Sequence, residues 1–241
     1  MKNKVICIIP ARGGSKGLKS KNIQKVNNKP LIYFPIMAAL KSGVCDKVCV
    51  STDSVEIAKI AKRYGAEVPF LREKNFSKDR TTTEATLQNA LLSLEDYYNT
   101  KFDICVFLTC TNLFRKISWI QKAVNILKKD NKYDSAFSVN EMYKHFWHKQ
   151  NKTFKKVSPW MKSYTSRQIG NKIYREDTGL ALASRSSLWR KGKRIGKKNY
   201  FIVNNDPYTG IDIHDLNDLK LANLVMKLLK KEKLNKDRVV G

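Results

Sequence analysis

Three glycines and three cations crowd one short stretch near the start of the chain: Ile9-Pro10-Ala11-Arg12-Gly13-Gly14-Ser15-Lys16-Gly17, followed by Lys21-Asn22. Glycine lets a backbone come close to a ligand and present successive N–H groups to it. Arg12, Lys16 and Lys21 add positive charge at the same place. The apolar run Val5-Ile6-Cys7-Ile8-Ile9 leads into this turn, as a buried parallel strand would. Open α/β sheets bind ligands at such strand ends. These residue types at this spacing predict a polyphosphate cradle, although neither the Walker A spacing nor the dinucleotide pattern G-x-G-x-x-G is present.

The elements that must position this cradle alternate along the chain. Strands are expected at residues 5–9, 47–51, 66–70, 104–108 and 135–139. Helices are expected at 30–42, stopping at Gly43, at 55–64, stopping at Gly65, at 83–98, capped by Thr82 or Thr83, and at 117–129. This alternation predicts an α/β fold, a mostly parallel sheet with helices on both faces. Strand ends at Pro10, Thr52 and Thr109 would line one edge. From about 140 to 175 the chain turns rich in aromatics and lysine, including Tyr143, Phe146, Trp147, Phe154 and Trp160. Core-like sequence returns at 180–183 and 201–203. A last helix from about Leu216 has Leu219, Leu221, Ala222, Leu224, Val225, Leu228 and Leu229 as its apolar face, and the lysine-rich end after it reads as frayed and solvated. The 241 residues are read as one domain.

Bulk properties narrow the class. No apolar run approaches a membrane span, and the first residues lack a signal-peptide pattern, so a cytoplasmic protein is expected. Cys7, Cys45, Cys49, Cys105 and Cys110 form no C-x-x-C pair and read as reduced thiols, mostly in the core. The formal net charge is +26, but the lysines are spread along the chain and no RRM, KH, zinc-finger or helix-turn-helix signature accompanies them. No specific nucleic-acid partner is therefore expected.

The segment from Ile9 to Gly17, with Lys21-Asn22 after it, resembles the N-terminal signature of the acylneuraminate cytidylyltransferases, the CMP-sialic acid synthetases and their relatives for legionaminate, pseudaminate and Kdo. The resemblance extends to about Asn223. It implies a Rossmann-like nucleotide-diphospho-sugar transferase fold with an inserted dimerisation arm at about 140–175, and hence a homodimer. It also implies an enzyme that joins CTP to a 2-keto-3-deoxy sugar acid, with Mg²⁺ (Mn²⁺ as a second possibility), and releases pyrophosphate. Such a reaction asks a protein for positioning and charge neutralisation rather than a side-chain nucleophile.

The resemblance carries roles onto matching positions. Arg12, Ser15, Lys16 and Asn22 are expected to hold the nucleotide, with Lys21 near the phosphates. Arg72 falls at the family's arginine before the cytosine pocket, and Thr81 and Thr83 fall where family residues contact the base. The family's Leu-Gln-Pro-Thr-Ser-Pro-Leu-Arg motif becomes Leu108-Thr109-Cys110-Thr111-Asn112-Leu113-Phe114-Arg115. Thr111 and Arg115 are kept, Thr109 replaces the glutamine that touches the sugar, and both prolines are gone. An acceptor other than ordinary sialic acid is therefore open, with Thr109, Thr111 and Asn112 beside it. Arg167-Gln168 and Arg175 match an arginine pair that binds the sugar carboxylate and the triphosphate, as a bidentate fork suits. The family's Asn-Gly after the second arginine becomes Asp177-Thr178-Gly179, which keeps only the glycine and adds Asp177 as a new acid.

The family's metal motif is matched by Gly210-Ile211-Asp212-Ile213-His214-Asp215. Alternation in a short strand would put Asp212 and His214 on one face. Asp212 suits a hard cation, whereas His214 is a poor Mg²⁺ ligand, leaving a metal-bound water, Mn²⁺ or Asp215 as ways to complete the site. Lys149 or His148 would be the arm's cation that crosses to a partner's site. Two rivals stand beside this reading: a CMP-Kdo-type or other sugar nucleotidyltransferase of the same fold, and a nonenzymatic polyanion-binding protein.

Overall fold

The computed structural model describes residues 3–15, 17–78, 80–157, 172–231 and 237–240. Lys16, Arg167 and Gln168 lie outside the described residues. Strand β1 (Val5–Pro10) is an interior strand, one place in from the edge of a seven-stranded sheet, and Val5 to Ile9 are fully buried. Side chains of a strand alternate between faces. Here Val5, Cys7 and Ile9 meet a layer that holds α1 (Tyr33–Ser42), α2 (Val55–Arg63), α4 (Ile117–Lys129) and α6 (Leu216–Lys231). Ile6 and Ile8 face α3 (Thr83–Tyr97) and α5 (Ser186–Arg190) on the other side. Residues apolar on both faces are what a doubly covered strand requires.

β1 pairs in parallel with β4 (Lys47–Ser51) and β5 (Ile104–Phe107), so their carboxyl ends share one edge. Next come β10 (Leu182–Arg185), antiparallel to β5, then β6 (Ser135–Met142) and β11 (Asn199–Asn204), which are parallel to each other. β9 (Ile173–Glu176) runs antiparallel beside the end of β6. The fold is α/β and Rossmann-like as expected, but among the described strands parallel ladders are confined to β4-β1-β5 and β11-β6. β9 and β10 lie one after the other along the same side of β6, both antiparallel to it, with residues 177–181 between them.

Other elements depart from the sequence reading. The helix expected from residue 30 starts at Tyr33, because β2 (Lys25–Val26) and β3 (Lys29–Pro30) form a hairpin turned by Asn27 and Asn28, both at positive φ. The strand expected at 66–70 is a single bridge. Glu67 donates to Val48 O and accepts from Val50 N, and then Pro69 has no N–H for another rung. In α6 the buried positions are Leu219, Ala222, Met226 and Leu229, while Leu221, Leu224 and Leu228 face solvent. Nor is the whole carboxyl-terminal end frayed: residues 237–240 dock back on the fold and bury Val239. All five cysteines are free thiols, four of them buried. No helix among the described residues is long and apolar enough to cross a membrane. The 140–175 region begins as the end of β6, then projects a hairpin of β7 (Trp147–Gln150) and β8 (Thr153–Lys156).

Candidate active site

The cradle sits where β1 and β4 end. Ala11 N–H donates to Ser51 O at 2.9 Å, and Gly13 N–H donates to the Asp53 carboxylate at 2.8 Å. Buried Asn22 donates through Nδ2 to Arg12 O, closing the loop on itself. Lys21 reaches across to Ile213 O at 3.1 Å, next to Asp212. Gly17 passes so close to this segment that a Cβ would lie 2.8 Å from His214 O, so the turn has no room for a side chain. Arg12, Ser15, Lys21, Asn22, Thr111 and His214 line one cleft of about 370 Å³.

A second cleft of about 280 Å³ shares Arg12 and holds Arg72, Thr81 and Thr83. Arg72 follows the bridge at Glu67. Its N–H donates to Thr52 O and its Nε to Ser77 Oγ. Burial lowers the Arg72 pKa, Asp53 opposes that shift, and Arg12 adds to it. Thr81 Oγ1 donates to Asn75 O. The cap of α3 is Thr82, whose Oγ accepts from Ala85 N–H, so Thr83 is left to the cleft wall. Arg12, Arg72, Thr81 and Thr83, each named from the sequence, are thus brought to one place.

A third cleft, about 430 Å³, shares Thr83, Thr109 and Thr111 with its neighbours and adds Asn112, Arg175 and Asp212. Thr109 Oγ1 donates to Asn112 Oδ1 at 2.6 Å, and Thr109 N–H donates to Gly179 O. At Gly179 a Cβ would lie 2.1 Å from Asn112 Oδ1, so any side chain there would displace Asn112 and Thr109 from this wall. Arg115 fastens this wall from behind. It is fully buried and donates to the carbonyls of Thr109, Gly179 and Leu180, and burial pulls its pKa down to about 10. Arg175 is gripped by both oxygens of Asp177, at 2.8 and 2.9 Å, which raises its pKa.

Residues 211–214 form no strand; they run as an irregular segment between a 3-10 turn (Pro207–Gly210) and α6. Asp212 and His214 nevertheless come together, His214 Nε2 lying 3.2 Å from Asp212 Oδ2. The other oxygen, Oδ1, is buried and accepts no hydrogen bond among the described residues. Asp215 is occupied elsewhere, its carboxylate accepting from the N–H groups of Asn217 and Asp218 at the start of α6. Lys149 lies exposed on the β7–β8 hairpin and lines none of these clefts.

Sequence reasoning gave no role to Asp53, Arg194 or Asp206. Asp53 follows a predicted strand end, the one local signal available. Arg194 lines the third cleft, stacked over Phe107 and held by Glu84 and Glu176, yet in sequence it is one cation in a basic run. Asp206 caps the 3-10 turn, accepting from Tyr208 N–H.

A family model described as cytidylyltransferase matches residues 6–226. Post-translational flagellin modification protein B of Campylobacter coli is 31% identical over 228 residues, covering 93% of this chain and 96% of that protein. Pseudaminic acid cytidylyltransferase of Campylobacter jejuni is 32% identical over 231 residues, covering 95% and 97%. CMP-N,N'-diacetyllegionaminic acid synthase of the same species is 31% identical over 228 residues, covering 93% and 95%. A solved structure of CMP:2-keto-3-deoxy-manno-octonic acid synthetase complexed with CTP has a TM-score of 0.67 at 14% identity, covering 93% of this chain and 99% of that one, and shares the fold. The family match runs from β1 through the three clefts to α6, and by it this chain belongs to the cytidylyltransferase family.

Proposed function

We propose that this chain transfers CMP from CTP to the anomeric hydroxyl of a 2-keto-3-deoxy sugar acid of the acylneuraminate class and releases pyrophosphate. The observation that carries this reading is the convergence of Lys21, Arg175 and Asp212 where a glycine-rich cradle meets an acceptor-sized cleft. In the reaction an O–P bond forms between the anomeric oxygen and the α-phosphorus. The bond to pyrophosphate breaks, and the hydroxyl proton leaves to solvent.

The residues divide this work by position. Arg72, Thr81 and Thr83 receive the base, while Arg12, Ser15, Asn22 and the backbone N–H groups of the cradle receive the triphosphate. Lys21 and Arg175 neutralise charge that shifts onto the departing pyrophosphate, an electrostatic role worth most in a partly dehydrated site. Thr109, Thr111 and Asn112 orient the acid, with Arg167 and Gln168 assigned to the same task from sequence. The unsatisfied, buried Oδ1 of Asp212 fits a hard divalent cation, which keeps most of its waters and takes few protein ligands. Asp212 would hold Mg²⁺ there, and the ion would supply positive charge to phosphate oxygens. His214, whose Nε2 lies 3.2 Å from Asp212 Oδ2, orients that carboxylate; Mn²⁺ is the alternative ion.

The working unit we propose is a homodimer. Trp147 and Phe154 are 58% and 64% exposed on the hairpin, apolar area that a second copy would cover while Lys149 enters its acceptor cleft. The free thiols fit a reducing, cytoplasmic setting. Pyrophosphate release from CTP and Mg²⁺ across N-acetylneuraminate, legionaminate, pseudaminate and Kdo tests the reading. Release with one of the first three supports it, release with Kdo alone moves the chain to the Kdo type, and a folded protein that neither binds CTP nor releases pyrophosphate refutes it.

A further inference from the structure

The carboxyl-terminal residues 237–240 bind two places at once, and both lead to the acceptor wall. Asp237 O accepts from Ile117 N–H, and its carboxylate accepts from Ser118 N–H, at the start of α4, where the cap residue Lys116 offers no side-chain acceptor. Val239 sinks into the core. Between them Arg238 is nearly buried. Its guanidinium pairs with Asp206, lies 5.9 Å over the Tyr208 ring, and donates through Nε to Phe114 O.

Asp206 is the joint through which this grip reaches the site. Its carboxylate is itself 7% exposed, takes Lys116 as a second cation at 3.7 Å, and caps Tyr208 N–H. Asp206 O accepts from Thr209 Oγ1, and Thr209 O accepts from Arg175. Gly210 and Ile211 follow, then Asp212. The 206–212 segment belongs to no strand; besides these bonds it has the 3-10 bonds Thr209 N–H to Asp206 O and Ile211 N–H to Tyr208 O and contacts from Asn204 and Asn140, and Ile213 N–H to Thr111 O is its next backbone tie to the cleft wall.

We propose that Arg238 is a positioning residue for transfer: the docked tail acts as a strap that holds the 206–212 segment, and through it Asp212 and Arg175, in the geometry the reaction needs. The inference rests on the cytidylyltransferase reading above. A buried guanidinium pairs bidentately or across several acceptors and so fixes orientation in a way a flexible contact does not. The nucleotide side of the site, built on the ends of β1 and β4, has no bond to residues 237–240 among the described residues and meets this chain only beyond Asp212, at Ile213 and His214, so the strap acts first on the acceptor side.

The test compares the full-length parent with Arg238→Gln, Arg238→Lys, Asp206→Asn and the double variant Asp206→Asn/Arg238→Gln. Hydrogen exchange is read by peptide, CTP binding by titration and turnover by pyrophosphate release. Arg238→Gln should speed exchange over 206–213 by about tenfold with 11–23 unchanged, because the loss is local. It should lower kcat by about tenfold with CTP affinity within about twofold, and Arg238→Lys should recover part of the loss. The double variant should be no slower than the worse single variant, since both changes cut one link. Parent-like exchange over 206–213 in Arg238→Gln would overturn the strap, as would equal loss of CTP affinity and kcat, or additive losses in the double variant. The exchange result stands without turnover, so a parent enzyme silent with every acid would count against the functional reading and leave the strap to be judged by exchange.

Discussion

Both oxygens of Asp177 hold the guanidinium of Arg175, through Nε at 2.8 Å and an Nη at 2.9 Å, so the arginine expected to meet ligand is already aimed by an acid two residues on. Arg175 is also tied to Thr209 O, and its free edge passes 3.8 Å from where a Cβ on Gly210 would sit. The pair sets the cation's direction rather than removing it from the cleft. Asp177→Asn keeps the shape but weakens a charge-assisted fork. It should raise the acceptor KM by about tenfold, whereas Arg175→Ala should lower kcat/KM by about a hundredfold. Steady-state kinetics with varied acceptor checks both, and an unchanged KM in Asp177→Asn would show that the pair does not orient Arg175.

Asp212→Ala should abolish divalent-dependent turnover, by at least about a thousandfold, without lowering the melting temperature. Its Oδ1 has no protein donor among the described residues, and its Oδ2 faces the exposed His214 ring, so folding loses little there. His214→Ala should leave a slower enzyme that needs more Mg²⁺, because Asp212 keeps its charge but loses its orienting neighbour. Titrating the cation against rate separates the two variants.

Lys21→Ala should slow transfer by about a hundredfold and leave the melting temperature nearly unchanged. Its ammonium bonds to one carbonyl, Ile213 O, and is only half-buried, so its loss costs the fold little. Pyrophosphate release at saturating CTP reads the effect, and a parent-like rate would remove the cradle's lysine from the mechanism.

Glu95 sets an acid limit on stability. Burial would raise its pKa, but bonds from Arg190, Lys101 and Phe102 N–H outweigh burial and hold it below the ordinary glutamate value. Glu95 is nearly inaccessible, and Arg190 pairs with both its oxygens. A depressed carboxylate pKa stabilises the fold above the unfolded-state value of about 4.3, and that contribution drains away as pH falls through the folded-state value. Denaturant melts between about pH 7 and pH 3 should show the fall, and Glu95→Gln should flatten it while costing about 2 kcal/mol at pH 7.

The parts of this molecule that were legible in the sequence are those written in neighbouring residues. Val5 to Ile9 are apolar on both faces, and Arg12 to Gly17 follow at once, so strand and cradle could be placed together. Asp212 and His214 share no strand, yet they meet because the irregular segment between the 3-10 turn and α6 buries Ile213 and leaves its two neighbours on one side, 3.2 Å apart. The direction of β10 was hidden, because Leu180 to Ala183 are as apolar in either orientation. The α6 face was misjudged because leucines occupy almost every turn, and only packing selects Leu219, Ala222, Met226 and Leu229. Asp53 to Gly13 and Arg238 to Asp206 are long-range pairs, and no spacing rule links such residues.

The measurement that bears most directly on the account is phosphorus NMR of the protein with Mg²⁺, one nucleoside triphosphate at a time and the acceptor panel. A phosphodiester signal growing in step with pyrophosphate, with CTP plus one sugar acid and with no other nucleotide, is the result the account predicts. CTP left intact beside every acid by a folded protein that does not bind it, or pyrophosphate appearing with no phosphodiester product, would contradict it.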